Sequence, residues 1–95
     1  MSVSVIIKFN VKSSMITEFV AILNTVKADL PNTQGCQCVD IFRCSSNANI
    51  FTLVEKWETA QLHQAHITKL TEDGSWNFIS QHLSKKPESD YYNAM

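Results

Sequence analysis

Gly35-Cys36-Gln37-Cys38-Val39-Asp40-Ile41-Phe42-Arg43, then Phe51-Thr52-Leu53-Val54-Glu55-Lys56-Trp57-Glu58, then Leu62 and His66, is the stretch that decides the fold. The first two pieces read as the arms of a hairpin, joined by the polar turn Ser45-Ser46-Asn47-Ala48-Asn49. The third is a helix that carries a histidine back over the sheet. In the second arm Phe51, Leu53, Glu55 and Trp57 share one strand parity, and Thr52, Val54 and Lys56 share the other. Apolar residues on both parities predict a central strand with material packed on each side.

Upstream, Val3, Val5, Ile7, Phe9 and Val11 alternate with Ser4, Ile6, Lys8 and Asn10, which predicts a first strand with one strongly apolar face. Ile6 on the other parity implies that this side is partly covered too. Ser13 or Ser14 is the expected cap of a helix in which Ile16, Phe19, Val20, Leu23, Val26, Lys27 and Leu30 keep helical spacing. Pro31 and Gly35 bracket its exit loop. Downstream, Thr59 is the expected N-cap of a helix from Ala60 to about Leu70. Glu72-Asp73-Gly74-Ser75 breaks it, a short helical turn follows from Trp76 to Leu83, and Asp90-Tyr91-Tyr92 reads as a brief last strand.

The order is therefore β-α-β-β-α-β with a small helical insertion before the last strand. It matches the α+β, ferredoxin-like arrangement: an antiparallel sheet with two helices on one face. That arrangement leaves the second sheet face bare. Its apolar residues predict that it is buried against the sheet of a second copy, giving a homodimer. Disrupting the sheet, for example by Val5→Asp or Val54→Asp, is expected to give aggregated or unfolded material.

Composition narrows the function classes. With 95 residues, one domain over 1–95 is expected, and 44% hydrophobic residues are too many for a disordered chain. The net charge is −1, and the basic residues are scattered, so no cationic stripe exists for nucleic acid. The first strand lacks the basic start and continuous apolar run of an export signal, and no stretch approaches membrane-spanning length. Cys36, Cys38 and Cys44, an odd number, point to a reducing, cytoplasmic setting. All three share one parity and are expected on one sheet face as small hydrophobes. Only two glycines are present, Gly35 and Gly74, so no phosphate-cradling loop and no nucleotide cofactor are expected. His63 and His66, three apart on one helix, could share a metal, but no carboxylate or cysteine accompanies them at ligand spacing, and no metal is expected.

These residues resemble the antibiotic biosynthesis monooxygenase family of dimeric α+β barrel proteins. The resemblance rests on Gly35-Cys36, Ile41-Phe42-Arg43, Phe51-x-Leu53-x-Glu55-x-Trp57, Leu62 and His66, and extends from about Ser2 to Tyr92. It implies a homodimer whose two sheets close into a barrel, with a pocket between sheet and helices of each protomer. Some members oxygenate anthrones or quinols there without metal, flavin or haem; others degrade haem, act on a small signalling molecule, or have no assigned activity. Two departures stand out. The Ser-x-His-Phe segment that commonly follows the helical histidine is replaced by a longer run, Leu70 to Phe78, without histidine. That argues against a two-histidine mechanism. The haem-degrading branch would carry a tryptophan near His66 and an axial histidine near Ser75-Trp76, and this chain has neither.

His66 is the candidate catalytic residue. Its helix stacks Leu62, His66 and Leu70 along one stripe facing the sheet. A neutral imidazole there could take a phenolic proton from a bound quinol or other electron-rich aromatic, making the ring reactive toward O2 without a cofactor. The plainer alternative is a partly buried histidine bonded to Glu55 or to a backbone carbonyl. Glu55, mid-strand among apolar neighbours, needs a partner; His66 and Arg43 are the candidates. Phe42 and Trp57 could stack on a flat substrate or be core and interface aromatics. Trp76 and Phe78 could form a lid or anchor the short helix, and Asn10 could touch ligand or only shape the turn after the first strand. Two function classes follow: a cofactor-independent monooxygenase, or a non-catalytic dimer that binds a small hydrophobic molecule.

Overall fold

The structure, a computed structural model, describes residues 2–95. Four strands form one antiparallel sheet: β1 (Val3–Asn10), β2 (Cys36–Arg43), β3 (Ile50–Trp57) and β4 (Glu88–Tyr92), in the order β2-β3-β1-β4. Between them run α1 (Ile16–Asp29), α2 (Ala60–Glu72) and the short α3 (Ser75–Ser80). This is the α+β, ferredoxin-like order expected from the sequence, with β1 and β3 central.

Register assigns the faces. Val5, Ile7 and Phe9 lie opposite Glu55, Leu53 and Phe51, and this face meets Phe19 and Leu23 of α1 in the buried core. Leu62 of α2 and Trp76 and Ile79 of α3 pack against the same core. Among the described residues no helix covers the second face, where Ile6 lies opposite Val54, Phe42 opposite Thr52, and Tyr92 opposite Ser4. Val5 and Val54 therefore occupy opposite faces: Val5 is fully buried in the protomer's own core, and only Val54 belongs to the open surface.

Three local expectations are corrected. Neither Ser13 nor Ser14 caps α1. They lie in a 3-10 turn that leads into the helix, and the Ser13 hydroxyl instead accepts from Asn49 Nδ2 (2.9 Å). The turn supplies the hydrogen bonds that a side-chain cap would otherwise provide. The short helix α3 stops at Ser80 rather than Leu83, because Leu83 leaves it to bridge Val11. The cysteines do not share a face: the β2–β3 register shifts between Cys36 and Cys38, so Cys36 is buried while Cys38 is exposed. A bulge inserts one residue and inverts the parity of everything before it. Burial, followed by the nearby Glu55 and Cys38 charges, pushes the Cys36 thiol up to about 11, which keeps it protonated and unreactive.

Other expectations hold residue by residue. Thr59 caps α2, its hydroxyl accepting from Leu62 N (3.1 Å). On edge strand β2, the Val39 carbonyl accepts from Lys27 Nζ (2.7 Å), which ties α1 to that edge. Gly35 holds α2 close to the start of β2. It has φ +92°, and a Cβ there would stand 2.7 Å and 2.8 Å from Leu62 carbons. Gly35→Ala is expected to cost about 1–3 kcal/mol in urea unfolding. The loss should be somewhat smaller in a Leu62→Ala background, which removes the Cδ1 and Cγ contacts but keeps the Cβ contact at 2.8 Å and the backbone strain.

Candidate active site

Between the helix-bearing face of the sheet and the three helices lies a cavity of about 770 Å³. Leu53 and Glu55 of β3 line its floor, Phe19 and Leu23 of α1 one wall, and His66 of α2 and Trp76 of α3 the opposite wall. The volume falls within the range of small-molecule sites, which run from about 300 to 1,000 Å³. Its lining is mostly apolar. The ionisable groups in it are Asp29, Glu55, Asp73 and His66, with no lysine or arginine. Such a lining favours a neutral apolar ligand over an anion.

His66 is half-buried on this wall, and its ring makes no side-chain hydrogen bond among the described residues. It therefore bonds neither Glu55 nor a backbone carbonyl. Its ring lies against the Trp57 indole, with centroids 5.4 Å apart and planes at 36°. Burial first, and the Lys69 charge second, lower the imidazole pKa below its ordinary 6.5, against the opposing pull of Asp73. His66 is consequently a neutral imidazole at neutral pH, with a nitrogen free to take a proton from a cavity ligand.

Glu55 pairs with neither candidate partner. Its Oε1 accepts from Trp57 Nε1 at 2.9 Å, within a buried environment. Residues two apart on one strand share a face, which makes this short bond available without any loop geometry. Arg43 turns away, its Nε donating to the Ala48 carbonyl (3.0 Å) while its guanidinium covers the Phe51 ring. Desolvation raises the Glu55 pKa, and the indole hydrogen bond partly offsets the rise.

The remaining candidates divide by face. Trp76 lines the cavity. Trp57 does not: it is fully buried behind His66, so its indole orients His66 and Glu55 rather than stacking on a ligand. Phe42 stands on the open sheet face, 58% exposed, away from the cavity, because its parity is opposite to that of Ile41. Asn10 is on that same open face at the end of β1, and its backbone carbonyl accepts from Ser84 N (2.8 Å). Phe78 is at the cavity rim and its ring is half-exposed.

One residue was underestimated by sequence reasoning. His63 is buried, its ring 5.3 Å from Trp57, and its Nδ1 lies 2.8 Å from the Tyr91 hydroxyl of β4. The signal was present in its spacing: a residue three before His66 projects from the same helix face, over the same indole. Its pairing with Tyr91 could not be read, because β4 is 28 residues distant and its register is tertiary. Among the described residues no cluster of three or more histidine, cysteine or acidic side chains could hold a metal ion.

The family model for antibiotic biosynthesis monooxygenases matches residues 2–69, a span that contains β1 to β3, α1, and His66 on α2. The chain belongs to the antibiotic biosynthesis monooxygenase family. No curated protein sequence matches it. Solved structures share the family fold over the whole chain. A conserved protein from Methanosarcina mazei superposes with a TM-score of 0.87 at 21% identity, covering 100% of this chain and 94% of the other. A Mycobacterium tuberculosis protein, Rv0793, gives 0.85 at 14% identity, covering 100% and 96%. SnoaB, a cofactor-independent oxygenase from Streptomyces nogalater, gives 0.81 at 13% identity, covering 98% and 92%. An oxygenase therefore occurs on this fold. The family match ends at Lys69, before Trp76 and β4, whereas the solved structures superpose on those elements as well.

Proposed function

We propose that residues 1–95 act as one domain of a homodimeric, cofactor-independent monooxygenase whose substrate is a neutral quinol or similarly electron-rich aromatic. One observation carries this reading: His66, neutral and without a protein hydrogen-bond partner, stands in the wall of a cavity large enough for a fused aromatic ring. An interior filled by aromatic side chains would have favoured a non-catalytic binding protein. The cavity with His66 in its wall favours the enzyme. Glu55 and Trp76 border the ligand, and Trp57 positions the imidazole.

In the reaction, His66 takes a hydroxyl proton from the quinol. The quinolate passes one electron to O2, the resulting superoxide and ring radical join at a ring carbon, and the His66 imidazolium returns its proton to give a hydroperoxide. Loss of water from it leaves a hydroxyquinone. One oxygen atom enters the product and the other leaves as water; the substrate supplies all four electrons, so no further reductant is required. The apolar walls exclude water from the quinolate and the radical pair. The test is oxygen uptake with a panel of reduced naphthoquinones and benzoquinones by wild type and His66→Ala. Turnover by the wild type that the variant loses supports the reading. Equal rates remove His66 from the mechanism, and no turnover with any quinol rejects the oxygenase.

The dimer rests on the open sheet face. Ile6 and Val54 are its apolar centre, Phe42 and Tyr92 stand exposed toward its edges, and no helix among the described residues covers it. A second copy placed sheet to sheet removes this patch from water. Val54→Asp puts a charge at the centre and is expected to give aggregated or unfolded protein rather than a stable monomer. Sedimentation of the wild type as a monomer at micromolar concentration would contradict the dimer. A cytoplasmic location is supported by three free cysteines, and no helix among the described residues is long and apolar enough to cross a membrane.

A further inference from the structure

A second cavity of about 790 Å³ lies at the β4 edge of the sheet, on the far side of Ile7, Ile67 and Trp76, which it shares with the first. Its chemistry is the reverse of its neighbour's. The first cavity is lined by three carboxylates and no lysine or arginine. The second is lined by Lys85 and Lys86 and by no carboxylate. The two lysines sit on the strap between α3 and β4. That strap is anchored at one end by Ser84, whose N–H and hydroxyl both donate to the Asn10 carbonyl (2.8 and 3.2 Å). At the other end it is fixed by the pairing of Glu88 and Ser89 with Lys8 and Ile7. The cations are thus held on fixed backbone rather than on a loose tail.

Ile67, Leu83 and Trp76 supply apolar walls, and His63 and Tyr91 line the same space. His63 is 95% withdrawn from solvent, being 5% exposed, and its Nε2 is buried without a hydrogen-bond partner while Nδ1 is engaged by Tyr91. A buried polar nitrogen left unpaired costs stability, and a ligand atom beside it would remove that cost. Nothing in the proposed oxygenase reaction uses this histidine, the lysines or this space.

We propose that the second cavity binds a small aromatic monocarboxylate, its ring between Ile67, Leu83 and Trp76 and its carboxylate at Lys85 and Lys86. Two lysines without a counter-carboxylate select the anion, and the aromatic and aliphatic walls select a flat apolar body. The site is separate from the proposed oxygenase cavity, which repels the same anion through Asp29, Glu55 and Asp73, so it stands whether or not quinol turnover occurs.

The test is calorimetric titration of 1-naphthoate, with 1-naphthalenemethanol as its neutral counterpart, into wild type, the Lys85→Gln/Lys86→Gln double variant and the Lys85→Arg/Lys86→Arg double variant. Both lysines are exposed, so thermal melting should match wild type in each variant. Saturable naphthoate binding at one per chain is expected, weakened by roughly tenfold in the glutamine variant and retained in the arginine variant. Affinity for the alcohol should be the same in all three proteins. Amide shifts on binding should fall on residues 85–91 rather than on Phe19, Leu23 and Leu30. Absence of saturable binding, equal naphthoate affinity in wild type and the glutamine variant, equal loss in both double variants, or shifts confined to the first cavity would each overturn the proposal.

Discussion

Replacing His66 by glutamine is expected to lower kcat/KM for the proposed quinol oxygenation by roughly 10²- to 10⁴-fold, the span that a positioned general base contributes. Glutamine keeps the polarity and approximate volume of the site, so ring contacts with Trp57 weaken without a large cavity. What disappears is the one imidazole in the lining formed by the described residues, neutral because burial holds its pKa below 6.5. The pH profile separates loss of the base from loss of packing. Burial and Lys69 hold the native imidazole below 6.5, so it is already deprotonated at pH 7 to 8, and the wild-type rate is level there. The rate falls with acidification only below pH 6.5, as the imidazole takes a proton. In His66→Gln that acid limb is absent and the residual rate is flat. A variant that loses rate but keeps the acid limb would assign the titration to another group and remove His66 from proton transfer.

The same shift has a consequence for stability. His63 and His66 both have native pKa values lowered below 6.5, chiefly by burial. Below pH 6.5 the unfolded chain binds protons that the folded chain resists, so folding stability declines as the pH falls through the lowered native values. Glu55 acts in the opposite sense. Its native pKa is raised above 4.5, so its contribution is complete below 4.5 and is lost as the pH rises through the raised value.

Trp57→Ala has the largest expected effect on the fold. The indole is fully buried, lies against His63 and His66, and donates the hydrogen bond that satisfies Glu55. Removing a buried tryptophan costs about 3–5 kcal/mol. Leaving a buried carboxyl without its donor adds about 1–3 kcal/mol. A small domain has about 5–15 kcal/mol in total, so the variant is expected to be largely unfolded at 25 °C by circular dichroism and urea titration. Trp57→Phe isolates the polar part. It keeps most of the aromatic volume, loses the Nε1 donor, and is expected to lose about 1–3 kcal/mol. Because the hydrogen bond is what lowers the Glu55 pKa, that carboxyl should titrate still higher in Trp57→Phe, visible as a shift in the pH dependence of unfolding. A Trp57→Phe variant as stable as wild type would show that the indole–carboxylate bond contributes nothing.

The alternation of Val3 to Val11 and of Phe51 to Trp57, the helical spacing from Ile16 to Leu30, and the Thr59 cap specify strands and helices through local geometry alone, and those elements lie where their patterns put them. Strand order then follows from chain connectivity in this arrangement. His66 over the sheet was equally legible, because helix period and the Leu62–His66–Leu70 stripe fix the direction of the ring. The partners of Glu55, the burial of Trp57, and the facing of Phe42 and Asn10 away from the cavity were not. Each depends on which sheet face the helices cover and on how residues far apart in the chain meet. The bulge at Gln37 shows the limit most plainly: one inserted residue inverts the face of Cys36, and no periodicity announces it. His63 bonding Tyr91, and the lysine-lined cavity beside the acidic one, arise only when β4 docks beside β1. The sequence by itself determined the elements and the orientation of one imidazole, because those depend on neighbours within a turn or a strand. The tertiary structure decided which polar groups meet, because burial and pairing are properties of the assembled faces.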